Sequence, residues 1–346
     1  MRRINGARRR IMHGLTRNMS NPSLAANVST NGPVKIEKIL ICRPNHRLGN
    51  LLLITPLVQE IIFTFPACKI DVLVKGGIGP IVFKNYKNIN AIIALPKKPF
   101  TNLASYLQGW IDIRKNHYDI VFNVVNDSSS GRLSAQFANS TFKFVSDDNI
   151  DAQLKVRDYE HIARSPVQSF RKFIETLGFK QGDTEIPSLD IKLDNAELAA
   201  GQQVLRKLVV NSRKTICIYT FATGEKCYSE VWWGEFYEKL KAACPDYNII
   251  EILPIENVSM IGFKAPAFYS KDIREIASVI AGSSLFIGAD SGIMHLASAA
   301  RAATVGLFSI TNPNAYGPYG NKSIGIDTSK TDIDGCLAIV QDILLQ

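Results

Sequence analysis

No apolar run in this 346-residue chain reaches the roughly 18 residues that a membrane-crossing helix needs. The most apolar stretch, Leu48 to Phe65, is interrupted by Asn50, Thr55-Pro56, Gln59-Glu60 and Thr64, and reads as one buried or amphipathic helix. No C-x-x-C pair occurs either. The six cysteines (Cys42, Cys68, Cys217, Cys227, Cys244, Cys336) lie far apart, which offers neither a zinc site nor a disulfide scaffold. Cys42, Cys68, Cys217 and Cys336 have mostly apolar or strand-like neighbours, as expected of reduced, small core residues in a cytosolic protein. Acid is missing from residues 1–33, where six arginines (Arg2, Arg3, Arg8, Arg9, Arg10, Arg17) supply +6 of the net +9. The remaining 313 residues therefore carry only +3, so the body is not a basic nucleic-acid surface. This tail lacks the apolar core of about 7–15 residues found in a secretory signal. It reads either as a disordered tail or misassigned start, as transit-peptide-like in composition, or as an arm drawn to anionic lipid, each basic residue contributing about 1 kcal/mol.

What is present is an ordinary globular composition, 46% apolar and 21% charged, with a length that favours two domains. From Glu37 onward, short β-rich runs alternate with helical segments. Strands are expected at 38–42, 70–74, 91–95 and 118–125, then at 215–220, 248–253, 284–288 and 304–308. Helices are expected between them and at 195–208 and 332–345. Such apolar runs of strand length, alternating with helices, belong to buried parallel sheets. The region 152–211 breaks the rhythm with Pro166, Pro187 and scattered charges. The expectation is therefore an α/β chain of two doubly wound, Rossmann-like domains facing a cleft: a tail over 1–33, one domain over 34–190 and a second over 191–346. Ligands of such sheets bind beyond the carboxyl ends of the strands, which points to the loops after Cys42, Thr220 and Gly288.

Three segments can carry chemistry there. In Asp290-Ser291-Gly292-Ile293-Met294-His295 a strand ends, the chain turns and a helix starts. Glycine allows close approach to a ligand, and the free N–H groups of a first helical turn favour an anion. The alternative is a plain N-cap by Asp290 or Ser291. In Thr220-Phe-Ala-Thr223-Gly-Glu-Lys226, hydroxyls, a turn and an ammonium group can hold a diphosphate, or the lysine is merely a solvated one. In Arg43-Pro-Asn-His46-Arg47-Leu-Gly49-Asn50, His46 is either a general base near neutral pH or a hydrogen-bonded loop histidine. Weaker signals are Gly76-Gly77-Ile78-Gly79, a turn; Asp127 to Arg132, a polar loop or a capped helix start; Tyr316 to Gly320, a loop able to close over a ligand; and Glu256, placed to bond a ribose or simply exposed.

Taken together these segments resemble glycosyltransferase family 9, the lipopolysaccharide heptosyltransferase family, in order and spacing over about residues 36–345. The resemblance rests on Leu48-Gly49-Asn50 with Thr55-Pro56-Leu57, on Gly224-Glu225-Lys226 with Trp232-Trp233, and most specifically on Asp290 to Ala297 with Leu307-Phe308, Thr311, Pro313 and Tyr316 to Tyr319. It implies a GT-B fold and an inverting sugar transfer without a catalytic metal or other cofactor. It further implies an ADP-heptose-like donor, a lipid A-core or other glycan acceptor, and a place at the cytoplasmic face of the inner membrane. By the same resemblance Lys226 contacts the donor phosphates, the amides from Asp290 to His295 cradle the diphosphate, and the Asp290 carboxylate lies near the sugar. Two departures stand out. Asn50 occupies the position where the family has the aspartate taken as the base, so His46 first, or Asp127, is expected to substitute. Ser309-Ile310 stands where the family often has Gly-Pro. Two other readings remain open: a non-catalytic sugar-nucleotide or glycan-binding pseudoenzyme, and another GT-B enzyme such as a sugar-nucleotide epimerase.

Overall fold

The computed structural model describes residues 35–97, 102–125, 128–145, 161–180 and 184–345. The arginine-rich tail and the expected site residue Asp127 lie outside them. The chain divides into two compact units, one holding the described residues up to Arg47 with Pro56–Pro187, the other Leu48–Thr55 with Ser188–Gln346.

In the first unit β1 (Lys38–Cys42) leads to α1 (Leu48–Leu52) and α2 (Thr55–Thr64), then β2 (Lys69–Lys75), the short α3 (Gly79–Val82) and β3 (Ile89–Leu95). There follow α4 (Leu103–Lys115), β4 (His117–Asn123), α5 (Ser129–Phe137), β5 (Asn139–Phe144) and α6 (Ser165–Thr176). By its contacts α1 counts with the second unit. The five strands are all parallel, in the order β3-β2-β1-β4-β5. The second unit opens with α7 (Asn195–Leu208) and β6 (Lys214–Tyr219), a single 3-10 turn (Gly224–Lys226), α8 (Glu230–Ala243), β7 (Tyr247–Ile252) and β8 (Ala267–Phe268). It continues through α9 (Ile273–Ala281), β9 (Leu285–Ala289), α10 (Gly292–Ala299), β10 (Thr304–Phe308), α11 (Pro313–Tyr316), β11 (Ile324–Asp327) and α12 (Ile333–Leu345). Its six strands are again parallel, in the order β11-β10-β9-β6-β7-β8. Counted within each unit, both sheets have the doubly wound 3-2-1-4-5 order, the second with a sixth strand. The winding direction reverses between β1 and β4 in the first and between β6 and β9 in the second.

The strands form where β-branched and aliphatic residues run together, because covering helices bury both faces. Trp233, Phe236 and Leu240 of α8 and Cys336 and Val340 of α12 are buried in one cluster with Ile216, Ile218, Leu285, Ile287 and Leu307 of the sheet. The four cysteines expected in the core are buried, and so is Cys244. Burial pushes the Cys217 thiol up to about 12 and that of Cys336 up to about 11.

Two sequence expectations change, and one open pair of readings is decided. The single helix expected over 48–65 is two, because Pro56 has no N–H to offer Leu52 and its ring crowds that carbonyl. The Thr55 hydroxyl bonds the Leu52 carbonyl instead, at 2.7 Å, and accepts the Asp190 amide at 3.1 Å. Strands β5, β8 and β11 carry no long apolar run. β5 and β11 are half-exposed edge strands, and β8 is only two residues long. The polar segment before Arg132 is a helix start, with the Ser128 hydroxyl accepting the Gly131 amide.

Helices α7 and α9 are joined by a bidentate ion pair, Arg274 donating to both Glu197 oxygens at 2.6 and 2.7 Å. They cross at Gly201, where an added Cβ would fall inside contact distance of the Ser278 carbonyl. Gly201→Ala gains about 1 kcal/mol of helix propensity, but the backbone it meets cannot yield without moving a helix. We expect a net loss of about 1–3 kcal/mol in urea unfolding; an unchanged or raised midpoint would show that the crossing is looser than described.

Candidate functional site

The carboxyl end of the second sheet gathers the loops after β6, β9, β10 and β11. Strand β9 is buried throughout, and its register continues one step beyond its end, the Asp290 amide bonding the Leu307 carbonyl of β10 at 3.0 Å. The Asp290 side chain is only 9% exposed. One carboxylate oxygen, Oδ2, accepts from both the Lys226 ammonium group and the Thr311 hydroxyl. Lys226 closes the 3-10 turn after β6, which opens at Gly224 with φ +68°, a left-handed conformation suited to glycine. The Lys226 side chain is 37% exposed, so its charge stays accessible from solvent while being anchored on Asp290.

Ser291, extended at φ −152° and ψ 168°, caps α10 by accepting the Met294 amide at 3.2 Å. The capping alternative therefore holds for Ser291. The amides of Gly292 and Ile293, in the same first turn, have no acceptor within the helix, and the helix dipole adds positive potential there. Helix α1 packs against this turn with no side chain between them. A Cβ on Gly49 would sit 2.8 Å from His295 Cδ2 and 3.4 Å from the Gly292 Cα, and one on Gly292 would sit 3.4 Å from the Gly49 amide. His295 is itself buried. Thus Leu48-Gly49-Asn50, 240 positions before the Asp290 turn, lies against it, and half-buried Asn50 follows directly on the close contact.

Other expected residues are placed differently. Thr220 is buried, and its hydroxyl donates to Glu251 Oε1 at 2.6 Å while accepting the Met260 amide at 3.1 Å. It therefore holds the loop in place instead of presenting a hydroxyl to a ligand, because fully buried Glu251 needs donors. Ser259 supplies the other at 2.6 Å, and burial nonetheless pushes the Glu251 carboxyl upward. Thr223 is exposed at the start of the 3-10 turn. Glu256 is exposed on the loop after β7, close enough to Tyr219 that its charge, after burial, helps raise the Tyr219 phenol. His46 is exposed on the first unit. Partial burial, then the charges of Lys97, Arg47 and Lys75, hold its imidazolium below the ordinary 6.5. Among the described residues no group of three or more His, Cys, Asp or Glu is arranged to hold a metal ion.

Residues whose placement sequence reasoning did not anticipate are Thr311, as partner of Asp290, and Tyr228. The Tyr228 hydroxyl bonds the Thr328 hydroxyl at 2.7 Å, and its ring stacks on Trp232 at 4.3 Å. The available signal was position: Thr311 and Thr328 each follow a strand that ends beside β9 or β10.

Residues 270–336, which include β9, the Asp290 turn, α10 and Thr311, match the model of glycosyltransferase family 9 (heptosyltransferase). Over this segment the chain is similar to the glycosyltransferases of family 9. It is 22% identical over 295 residues to lipopolysaccharide heptosyltransferase 3 of Escherichia coli, covering 80% of this chain and 85% of that one. The solved structure of the family 9 glycosyl transferase from Veillonella parvula is similar at TM-score 0.72 and 18% identity, covering 92% of this chain and 99% of that chain. That of E. coli ADP-heptose lps heptosyltransferase II is similar at TM-score 0.64 and 15% identity, covering 90% and 99%. That of E. coli heptosyltransferase WaaC with ADP is similar at TM-score 0.61 and 16% identity, covering 88% and 99%. The fold is GT-B.

The glycine contact is open to test. Gly49→Ala drives a methyl group into the His295 ring, and we expect a loss of about 1–3 kcal/mol in stability. His295→Ala in the same chain should restore part of it. Additive losses in the double-mutant cycle would mean that the two residues do not touch.

Proposed function

We propose that this glycosyltransferase moves a sugar, heptose or a close relative, from an ADP-heptose-like nucleoside-diphosphate donor to a lipid-linked or core oligosaccharide acceptor. Its place would be in lipopolysaccharide assembly, at the cytoplasmic face of the inner membrane. The observation that carries this reading is the Lys226–Asp290–Thr311 arrangement beside the first turn of α10. It lies at the β6/β9 reversal, where open α/β sheets bind their ligands. The similarity in fold to WaaC with ADP supports a nucleoside diphosphate there.

In the reaction the acceptor hydroxyl oxygen attacks the anomeric carbon. The bond from that carbon to the β-phosphate oxygen breaks with its electron pair, and the hydroxyl proton passes to a base. Negative charge then grows on the leaving diphosphate. Lys226 and the Gly292 and Ile293 amides are preorganised to stabilise it. Without donor, Asp290 neutralises Lys226 and holds it in place. With donor, the ammonium group, still anchored on Asp290, also donates to phosphate, while Thr311 continues to satisfy the carboxylate. Ser291, Gly292 and His295 shape the turn, and exposed Thr223 and Glu256 remain available to the donor's outer parts. Asn50 orients the acceptor, since an amide takes no proton at neutral pH. His46 is the base: partial burial and then nearby cations lower its pKa, so it is neutral at pH 7 and able to accept a proton.

Asn50 also favours a second reading, a protein that binds sugar nucleotide or glycan without turning it over. Nucleoside-diphosphate release from a panel of nucleotide sugars, with and without a soluble acceptor, separates the two. Lys226→Ala should weaken donor binding and lower kcat/KM by about 10²–10³-fold; unchanged kinetics would remove Lys226 from the site. His46→Ala should lower kcat by about 10²-fold or more with little change in KM. Since the His46 pKa is depressed, the wild-type rate should stay flat near pH 7 and fall only below 6.5, an acid limb that is lost in His46→Ala. A variant as active as its parent would assign the base elsewhere, and donor binding without turnover would establish the second reading.

A further inference from the structure

Helix α4 lies on the first sheet through Gly109 and Ile113. Gly109 sits so close to Leu95 that an added Cβ would meet its side chain. The exposed side of the helix carries an apolar stripe beside polar Ser105 and Gln108. Leu103, Leu107 and Ile111, four residues apart and so on one stripe, are 56%, 52% and 42% exposed. Phe137, at the end of α5 and 42% exposed, extends the patch, its ring 5.3 Å from that of Trp110. The patch ends in cations. Arg114 lies over the Phe137 ring at 5.7 Å, Lys115 follows it, and Lys143 is near enough for the Arg114 charge to help lower its pKa after burial. The single acid of α4, Asp112, is half-buried and accepts from Gln108 at 2.7 Å.

We propose that this face of α4 and α5 is a docking surface for an anionic lipid bilayer. Aliphatic side chains on one helical stripe, aromatic rings beside them and cations at one end form the pattern of a helix lying in a membrane interface. The charge selects the occupant. Anionic headgroups complement Arg114, Lys115 and Lys143, whereas α4 and α5 of a second copy would offer these cations no acid but half-buried Asp112. Among the described residues no helix is long and apolar enough to cross a membrane, so contact through a surface such as this would be peripheral. The proposal assigns lipid contact to the folded body, and it does not depend on the sugar-transfer reading.

Flotation of the full-length protein tests it, with vesicles of phosphatidylcholine alone or mixed in equal parts with phosphatidylglycerol. The parent should float with the mixed vesicles and not with the neutral ones. Leu107→Glu combined with Ile111→Glu should cut the bound fraction about tenfold or more, with melting temperature and transfer to a water-soluble acceptor unchanged. Arg114→Gln combined with Lys115→Gln should also cut it about tenfold and flatten its salt dependence. The proposal is overturned if the glutamate variant floats like its parent, or if the parent binds neither vesicle. It is likewise overturned if the parent is a dimer that the glutamates dissociate, since a second copy then covers the stripe. Failure to turn over any nucleotide sugar would count against the transfer reading and leave the flotation result standing.

Discussion

A carboxylate that is nine-tenths buried at the end of a parallel strand needs hydrogen-bond donors, and Asp290 finds them on the loops of both neighbouring strands. Lys226 comes from the loop after β6 and Thr311 from the loop after β10, so one buried oxygen ties three strand ends together. The same contact keeps an ammonium group beside the first turn of α10. Two sources of positive potential, an ammonium group and a set of backbone dipoles, thereby stand side by side. Prealignment matters because an electrostatic interaction that costs no reorganisation during the reaction is the more effective one.

The second constraint is steric. Gly49 and Gly292 allow two helix starts to meet at backbone distance, with the His295 ring filling the space beside them. Any side chain at Gly49 would hold the segments apart and carry Asn50 away from the Asp290 turn. Around this contact the unit relies on buried polar groups that satisfy one another. Thr220, Glu251 and Ser259 steady the loop behind the Lys226 turn, and Asp190 anchors Arg301 while its amide donates to the Thr55 hydroxyl. Each such group would be costly if left unpaired, so the arrangement behaves as a unit.

Much of this was legible beforehand. The buried strands β1, β2, β6, β7, β9 and β10 announce themselves as short aliphatic runs, because only a sheet covered on both faces tolerates them. The Asp290-Ser-Gly turn and Lys226 were recognisable from residue type and position at strand ends. The split of the helix at Pro56, the edge strands β5, β8 and β11 and the burial of Thr220 were not read. Edge strands are half-exposed, so their sequences resemble loops, and a threonine at a strand end looks the same whether it faces solvent or a buried glutamate. His46 was identified by its imidazole, but the cations that depress its pKa come from loops up to 51 positions away in sequence.

The sequence by itself determined the alternation of strand and helix, the parallel α/β class and the chemical types available at the strand ends, since these follow from local periodicity and from what each side chain can do. Tertiary structure alone decided that Lys226 and Thr311 share Asp290, that Thr220 supports the site from within, and that Gly49 lies on Gly292. Those contacts join residues 21 to 243 positions apart, and the packing of covered sheets, acting through burial and hydrogen-bond satisfaction over a few ångströms, selects among the many pairings that local sequence permits.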